Sequence, residues 1–66
     1  MSLPEELKSL YDLLNVEGEL ASSQIADRLG IHQNTALNRL KKLQDLRLVR
    51  KKGRGSEVTY VPTSHP

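Results

Sequence analysis

The stretch Ser22-Ser23-Gln24-Ile25-Ala26-Asp27-Arg28-Leu29-Gly30-Ile31-His32-Gln33-Asn34-Thr35-Ala36-Leu37-Asn38-Arg39-Leu40-Lys41-Lys42-Leu43 decides the fold. Ser22 or Ser23 is placed to cap a short helix with Ile25, Ala26 and Leu29 inward and Asp27 and Arg28 outward. Gly30 supplies a sharp exit, because glycine enters left-handed backbone freely. Ile31 is expected as a buried plug, and a longer helix follows over about 32–46. In that helix Ala36, Leu40, Leu43 and Arg47 fall on one stripe, with Leu37 at its edge, while Asn34, Thr35, Asn38, Lys41 and Lys42 project from the other side.

Working outward, Ser2-Leu3-Pro4-Glu5 reads as a helix start, with Ser2 as cap, Glu5 at the capping-box position and Pro4 in the first turn. Leu7, Leu10, Tyr11 and Leu14 continue at helical spacing, which predicts a helix over 3–15 ended by Asn15 and Gly18. Glu19-Leu20-Ala21 is a short extended piece. On the other side, Leu48 and Val49 begin a strand, and Val58, Tyr60 and Val61 belong to a returning one. Lys52-Gly53-Arg54-Gly55-Ser56 is the flexible tip between them, and Pro62 ends the pairing. A two-stranded hairpin is marginal alone, so Leu20 is expected to add a third strand. The order helix, strand, helix, helix, strand, strand gives an α+β winged helix-turn-helix over residues 1–62, with 63–66 as a loose tail.

A chain of 66 residues allows one domain, one small core and no cofactor cavity beside it. There is no cysteine, which excludes disulfides and thiolate metal sites and fits a cytoplasmic or nucleoid-associated protein. No stretch approaches the roughly 20 apolar residues of a membrane span, so no membrane role is expected. The histidines, His32 and His65, have no partners at triad or metal-site spacing, and Gly53 and Gly55 do not open a helix. The expectation is a non-enzyme with no cofactor, no metal and no small-molecule ligand.

The net charge of +2 conceals a segregation. Positions 1–30 carry six acidic residues against two basic ones, net −4. Positions 31–54 carry eight basic residues against Asp45, net +7. One half of the chain is suited to a polyanion. Tyr11 and Tyr60 are its only aromatics and suit the core, which weighs against single-strand or RNA binding by stacking. Double-stranded DNA is the expected partner.

Ser23-Gln24-Ile25-Ala26, Leu29-Gly30-Ile31, Asn34-Thr35-Ala36, Leu40-Lys41-Lys42-Leu43 and Leu48-Val49-Arg50 stand at ungapped spacing. In these stretches the chain resembles the winged helix-turn-helix domains of the MarR and ArsR families of transcription regulators. The resemblance covers about residues 5–61 and implies a DNA-binding regulator with the third helix in the major groove. Two positions depart from the pattern: Arg47 stands where those families usually have glycine, and Leu37-Asn38 where they often carry Ser-Arg.

The base-reading candidates are Gln33, Asn34, Thr35 and Asn38, because an amide can pair with adenine N6 and N7 and a threonine methyl can meet a thymine methyl. Ser23, His32, Arg39, Lys41 and Lys42 suit the phosphate backbone. Arg50, Lys51, Lys52 and Arg54 charge the wing for backbone or minor-groove contact. Leu3 and Leu13 lie off the main apolar stripe of the first helix, which makes that helix the expected homodimer surface. The alternative reading is a winged-helix module of a larger replication, recombination or other assembly, binding protein or binding DNA without sequence preference.

Overall fold

The computed structural model describes residues 3–63. Three helices, α1 (Glu5–Glu17), α2 (Ser22–Leu29) and α3 (Gln33–Asp45), precede a hairpin of β1 (Val49–Lys52) and β2 (Thr59–Pro62). One 3₁₀ turn, Gly55–Glu57, lies in the tip. Leu7, Leu10 and Leu14 of α1, Ile25 and Ala26 of α2, and Ala36, Leu40 and Leu43 of α3 meet Leu20, Val49 and Tyr60 in one core. No polar residue is buried among the described residues. Ile31 is half-buried at the edge of this core, so it covers the turn without filling it.

The helix ends differ from expectation in instructive ways. Pro4, not a serine, precedes α1, and its carbonyl accepts from the amides of Leu7 and Lys8 at 3.0 and 2.9 Å. Ser2 and the tail residues 64–66, including His65, lie outside the described residues. Asn15 does not stop α1, because its side-chain amide donates to the Tyr11 carbonyl one turn back at 3.1 Å. The helix runs on to Glu17, and the Gly18 amide closes it onto Leu14 O at 2.7 Å.

Neither Ser22 nor Ser23 caps α2. The capping position belongs to Ala21, which has no side-chain acceptor. Gln24 reaches back instead, its Oε1 accepting the Ala21 amide at 2.9 Å. That is the reciprocal half of a capping box without its first half. Ser22 is thereby freed, and its hydroxyl accepts from Gln33 Nε2 across the turn at 2.9 Å.

Both helices of the motif end in the same device. Gly30 takes φ +67°, and the Ile31 amide returns to Ala26 O at 3.0 Å. At the end of α3, Arg47 takes φ +63°, and the Leu48 amide returns to Leu43 O at 2.9 Å. This is the six-to-one hydrogen bond of a Schellman ending. Arg47, which stands where the resembled families usually have glycine, thus adopts the left-handed conformation that a glycine would take. It also leaves the stripe of Ala36, Leu40 and Leu43, and lies exposed.

The hairpin is antiparallel with Val49↔Pro62, Arg50↔Val61, Lys51↔Tyr60 and Lys52↔Thr59. Pro62 is thus the last paired residue, opposite the start of β1. The third strand is a single bridge, in which Leu20 and Tyr60 exchange amide–carbonyl bonds at 3.2 and 2.8 Å. Gly53 has φ +85°, and a Cβ there would stand 2.6 Å from the Glu57 carbonyl oxygen, so the tip is closed to larger residues.

Two substitutions test the paired endings. A non-glycine residue in left-handed backbone costs on the order of 1–2 kcal/mol, partly offset by the looser unfolded state of glycine. Arg47→Gly is expected to stabilise the chain by about 0.5–1 kcal/mol in urea unfolding, and Gly30→Ala to destabilise it by about 1 kcal/mol. A Cβ on Gly30 meets nothing within 4 Å, so a much larger loss would point to a contact rather than to torsion.

Candidate nucleic-acid interface

Successive residues of a helix advance by about 100°, so burial of Ala36, Leu40 and Leu43 fixes which side of α3 faces out. Asn34, Asn38 and Lys41 lie opposite that stripe and are exposed, with Asp45 following at the end of the same face. Lys42 is exposed on one flank beside half-buried Thr35 and Arg39. Leu37 is 37% exposed and lies on the other flank, one turn from Asn34 and from Lys41. Asn34 and Asn38 are four residues apart and so stand one above the other.

Gln33 is held differently. Its hydrogen bond to Ser22 draws it to the flank nearest α2 and ties the start of α3 to the start of α2. Of the four candidates, Asn34 and Asn38 share the open face, Thr35 borders it, and Gln33 braces the turn. Ser23 is exposed in the first turn of α2, and His32 is exposed just before α3 without a side-chain capping bond.

The ion pairs are distributed as unevenly as the charge. In the acidic half, Lys8 pairs with Asp12 at 3.1 Å and Arg28 with Glu17 at 2.8 Å. In the basic half, among the described residues, only Lys52 pairs, with Glu19 at 3.5 Å. Arg39, Lys41, Lys42, Arg50, Lys51 and Arg54 have no acidic partner among the described residues. The cations of the acidic half are neutralised where they stand, and those of α3 and the hairpin remain available.

Glu19 is a residue that the sequence did not single out. One carboxylate oxygen accepts from the Thr59 hydroxyl at 2.5 Å while the other faces Lys52. The Thr59 hydrogen bond, then the Lys52 charge, hold its carboxyl below the ordinary glutamate range. The partners stand 33 and 40 residues away, a separation that no local pattern reveals. Leu37 is legible in the sequence only as the edge of a stripe, and the structure leaves it 37% exposed.

Leu3 and Leu13, expected on a dimer surface, are half-buried against the chain's own core. Val16, 82% exposed, is the large apolar residue that α1 leaves open among the described residues. Among the described residues no three His, Asp or Glu side chains come together as a metal set, and no helix is long and apolar enough to cross a membrane.

Known proteins share this arrangement. Residues 8–52 match the model of the helix-turn-helix domain family. The global transcriptional regulator CodY of Bacillus thuringiensis (strain Al Hakam) is 34% identical over 58 residues, which is 86% of this chain and 22% of CodY. CodY of Bacillus cytotoxicus gives the same values. The chain thus spans about a fifth of the length of these relatives. The crystal structure of the AntR antimony-specific transcriptional repressor superposes with a TM-score of 0.74 at 25% identity, over 83% of this chain and 50% of that one. The chain belongs to the helix-turn-helix domain family, in its winged form.

Proposed function

We propose that the chain is the double-stranded-DNA-binding part of a transcription regulator, working in the cytoplasm or on the nucleoid. The observation that carries this reading is the open amide face of α3 flanked by cations without acidic partners among the described residues. Relatives named as a global transcriptional regulator and a transcriptional repressor support it. In this reading α3 enters the major groove, where Asn38 and Asn34 pair with adenine edges and Thr35 borders them. Gln33 reads through its free oxygen or only braces the turn. Lys41, Lys42, Arg39, Ser23 and His32 contact phosphates on either side of the groove. Arg50, Lys51 and Arg54 carry the wing to the backbone or the minor groove. A single short helix covers few bases, so specific binding gains from a second copy on a half-site about 10 bp away. Val16 gives α1 an apolar position for such pairing.

Titration of a labelled duplex at several salt concentrations tests the reading. With four or five phosphate contacts, log K falls against log[salt] with a slope of roughly −3 to −5. A flat response refutes it and favours a protein-binding module. Arg54→Ala is expected to weaken all duplexes alike and to shallow the slope by about 0.9. Selection of bound duplexes from a random pool supplies the preferred site, and its symmetry reports one copy or two. On that site Asn38→Ala is expected to cost about 1–3 kcal/mol, with little loss on random duplex. Equal loss on both removes Asn38 as a reader.

A further inference from the structure

We propose that Glu19 is a positioning residue for the wing that also keeps Lys52 from acting as a phosphate contact. This rests on the DNA-binding reading above and deepens it.

The hairpin is tied to the helices by little backbone. Among the described residues, the Leu20–Tyr60 bridge is the only backbone pairing that joins it to the connection between α1 and α2. Glu19 is the neighbour of Leu20, and its two oxygens reach both strands at once: Thr59 on β2 and Lys52 on β1. Thr59 and Lys52 are also partners in register, and theirs is the outermost pair before the tip. One carboxylate therefore fastens the last rung of the wing to the helical body. Val49, Tyr60 and the Thr63–Arg47 hydrogen bond anchor the base of the hairpin, and Glu19 is the tie at its tip end, where Arg50, Lys51 and Arg54 take their direction.

The same contact changes the charge that the wing offers. A cation contributes to DNA affinity by neutralising a phosphate and releasing its counterion. Lys52 already has a fixed counterion, and the Thr59 hydrogen bond holds that carboxylate in place. A phosphate at Lys52 would also approach the Glu19 carboxylate, two anions around one cation. An exposed ion pair is weak on its own. The position is decided by the combination with Thr59 and by that repulsion. Lys52 consequently differs from Arg50, Lys51 and Arg54, although composition makes the four look alike.

Two measurements on the full chain decide it. In the free protein, Glu19→Ala is expected to speed amide exchange at Leu20 and Tyr60 by several-fold relative to amides of α3, while Glu57→Ala leaves it unchanged. Equal exchange in both variants overturns the positioning role. On duplex DNA, Lys52→Gln in the wild-type background is expected to leave the salt slope within about 0.3 of its starting value. Glu19→Gln, which preserves an acceptor for Thr59, steepens the slope by about 0.9, and adding Lys52→Gln returns it. Glu57→Gln measures the general effect of deleting a nearby carboxylate and is expected to be indifferent to Lys52. If Lys52→Gln alone shallows the slope by about 0.9, or if the gain from Glu19→Gln survives Lys52→Gln, Lys52 is an ordinary contact and the second role is overturned. Absence of any salt-dependent duplex binding by the wild type refutes the DNA reading and the Lys52 role together, whereas the exchange measurement still judges the positioning role.

Discussion

Burial of one stripe of α3 is the constraint on which the rest depends. Ala36, Leu40 and Leu43 are fully withdrawn from water against α1, α2 and β1. A fully buried leucine contributes on the order of 1.5–3 kcal/mol, a large share of the 5–15 kcal/mol that holds a typical domain. A chain this small has no second core to fall back on. The stripe therefore fixes the rotation of α3 about its own axis, and rotation determines which residues face out. Asn34, Asn38 and Lys41 are presented because Leu40 and Leu43 cannot be. The buried stripe and the proposed reading face are two sides of one thirteen-residue helix.

Charge is organised by a comparable economy. Acidic and basic residues close in space cancel in the half made of α1 and α2, through Lys8–Asp12 and Glu17–Arg28. Such exposed pairs add little stability. Their effect is on the field: they cancel the two basic side chains of a half that stays net negative, while the other half stays net positive. Glu19 is the acid that crosses this divide, from the acidic half to the hairpin. Its place beside the bridge residue Leu20 makes it a geometric element first and a charge second.

The helices, the turn and the hairpin were legible in the sequence because apolar spacing and Gly30 are local signals. The registers of the ends were not. Ser22 and Ser23 looked like caps, but Gln24 captured the Ala21 amide and Ser22 went to Gln33. Both serines could satisfy a local rule, and a contact eleven residues away chose otherwise. The candidate interface was legible as a set of residues and not as an arrangement. Sequence placed Gln33 with Asn34 and Asn38, and Arg47 with the buried stripe. The turn withdrew Gln33 toward α2, and a left-handed residue turned Arg47 out.

Arg47 shows how a locally unfavourable choice persists. Left-handed backbone disfavours it, yet three hydrogen bonds determine the turn around it. The Arg47 amide donates to Gln44 O at 2.9 Å and the Leu48 amide to Leu43 O. The Thr63 hydroxyl donates to the Arg47 carbonyl at 2.8 Å, strapping the end of β2 onto the exit of α3. A cation at a helix C-terminus is favourable by about 0.3–1 kcal/mol, which recovers part of the torsional cost. Glycine would relieve the strain and would remove one positive charge from the half of the chain in which every cation but Lys52 lacks an acidic partner among the described residues. The position thus gives up a fraction of folding free energy and keeps a charge in the half of the chain where Arg50, Lys51 and Arg54 also have no acidic partner among the described residues.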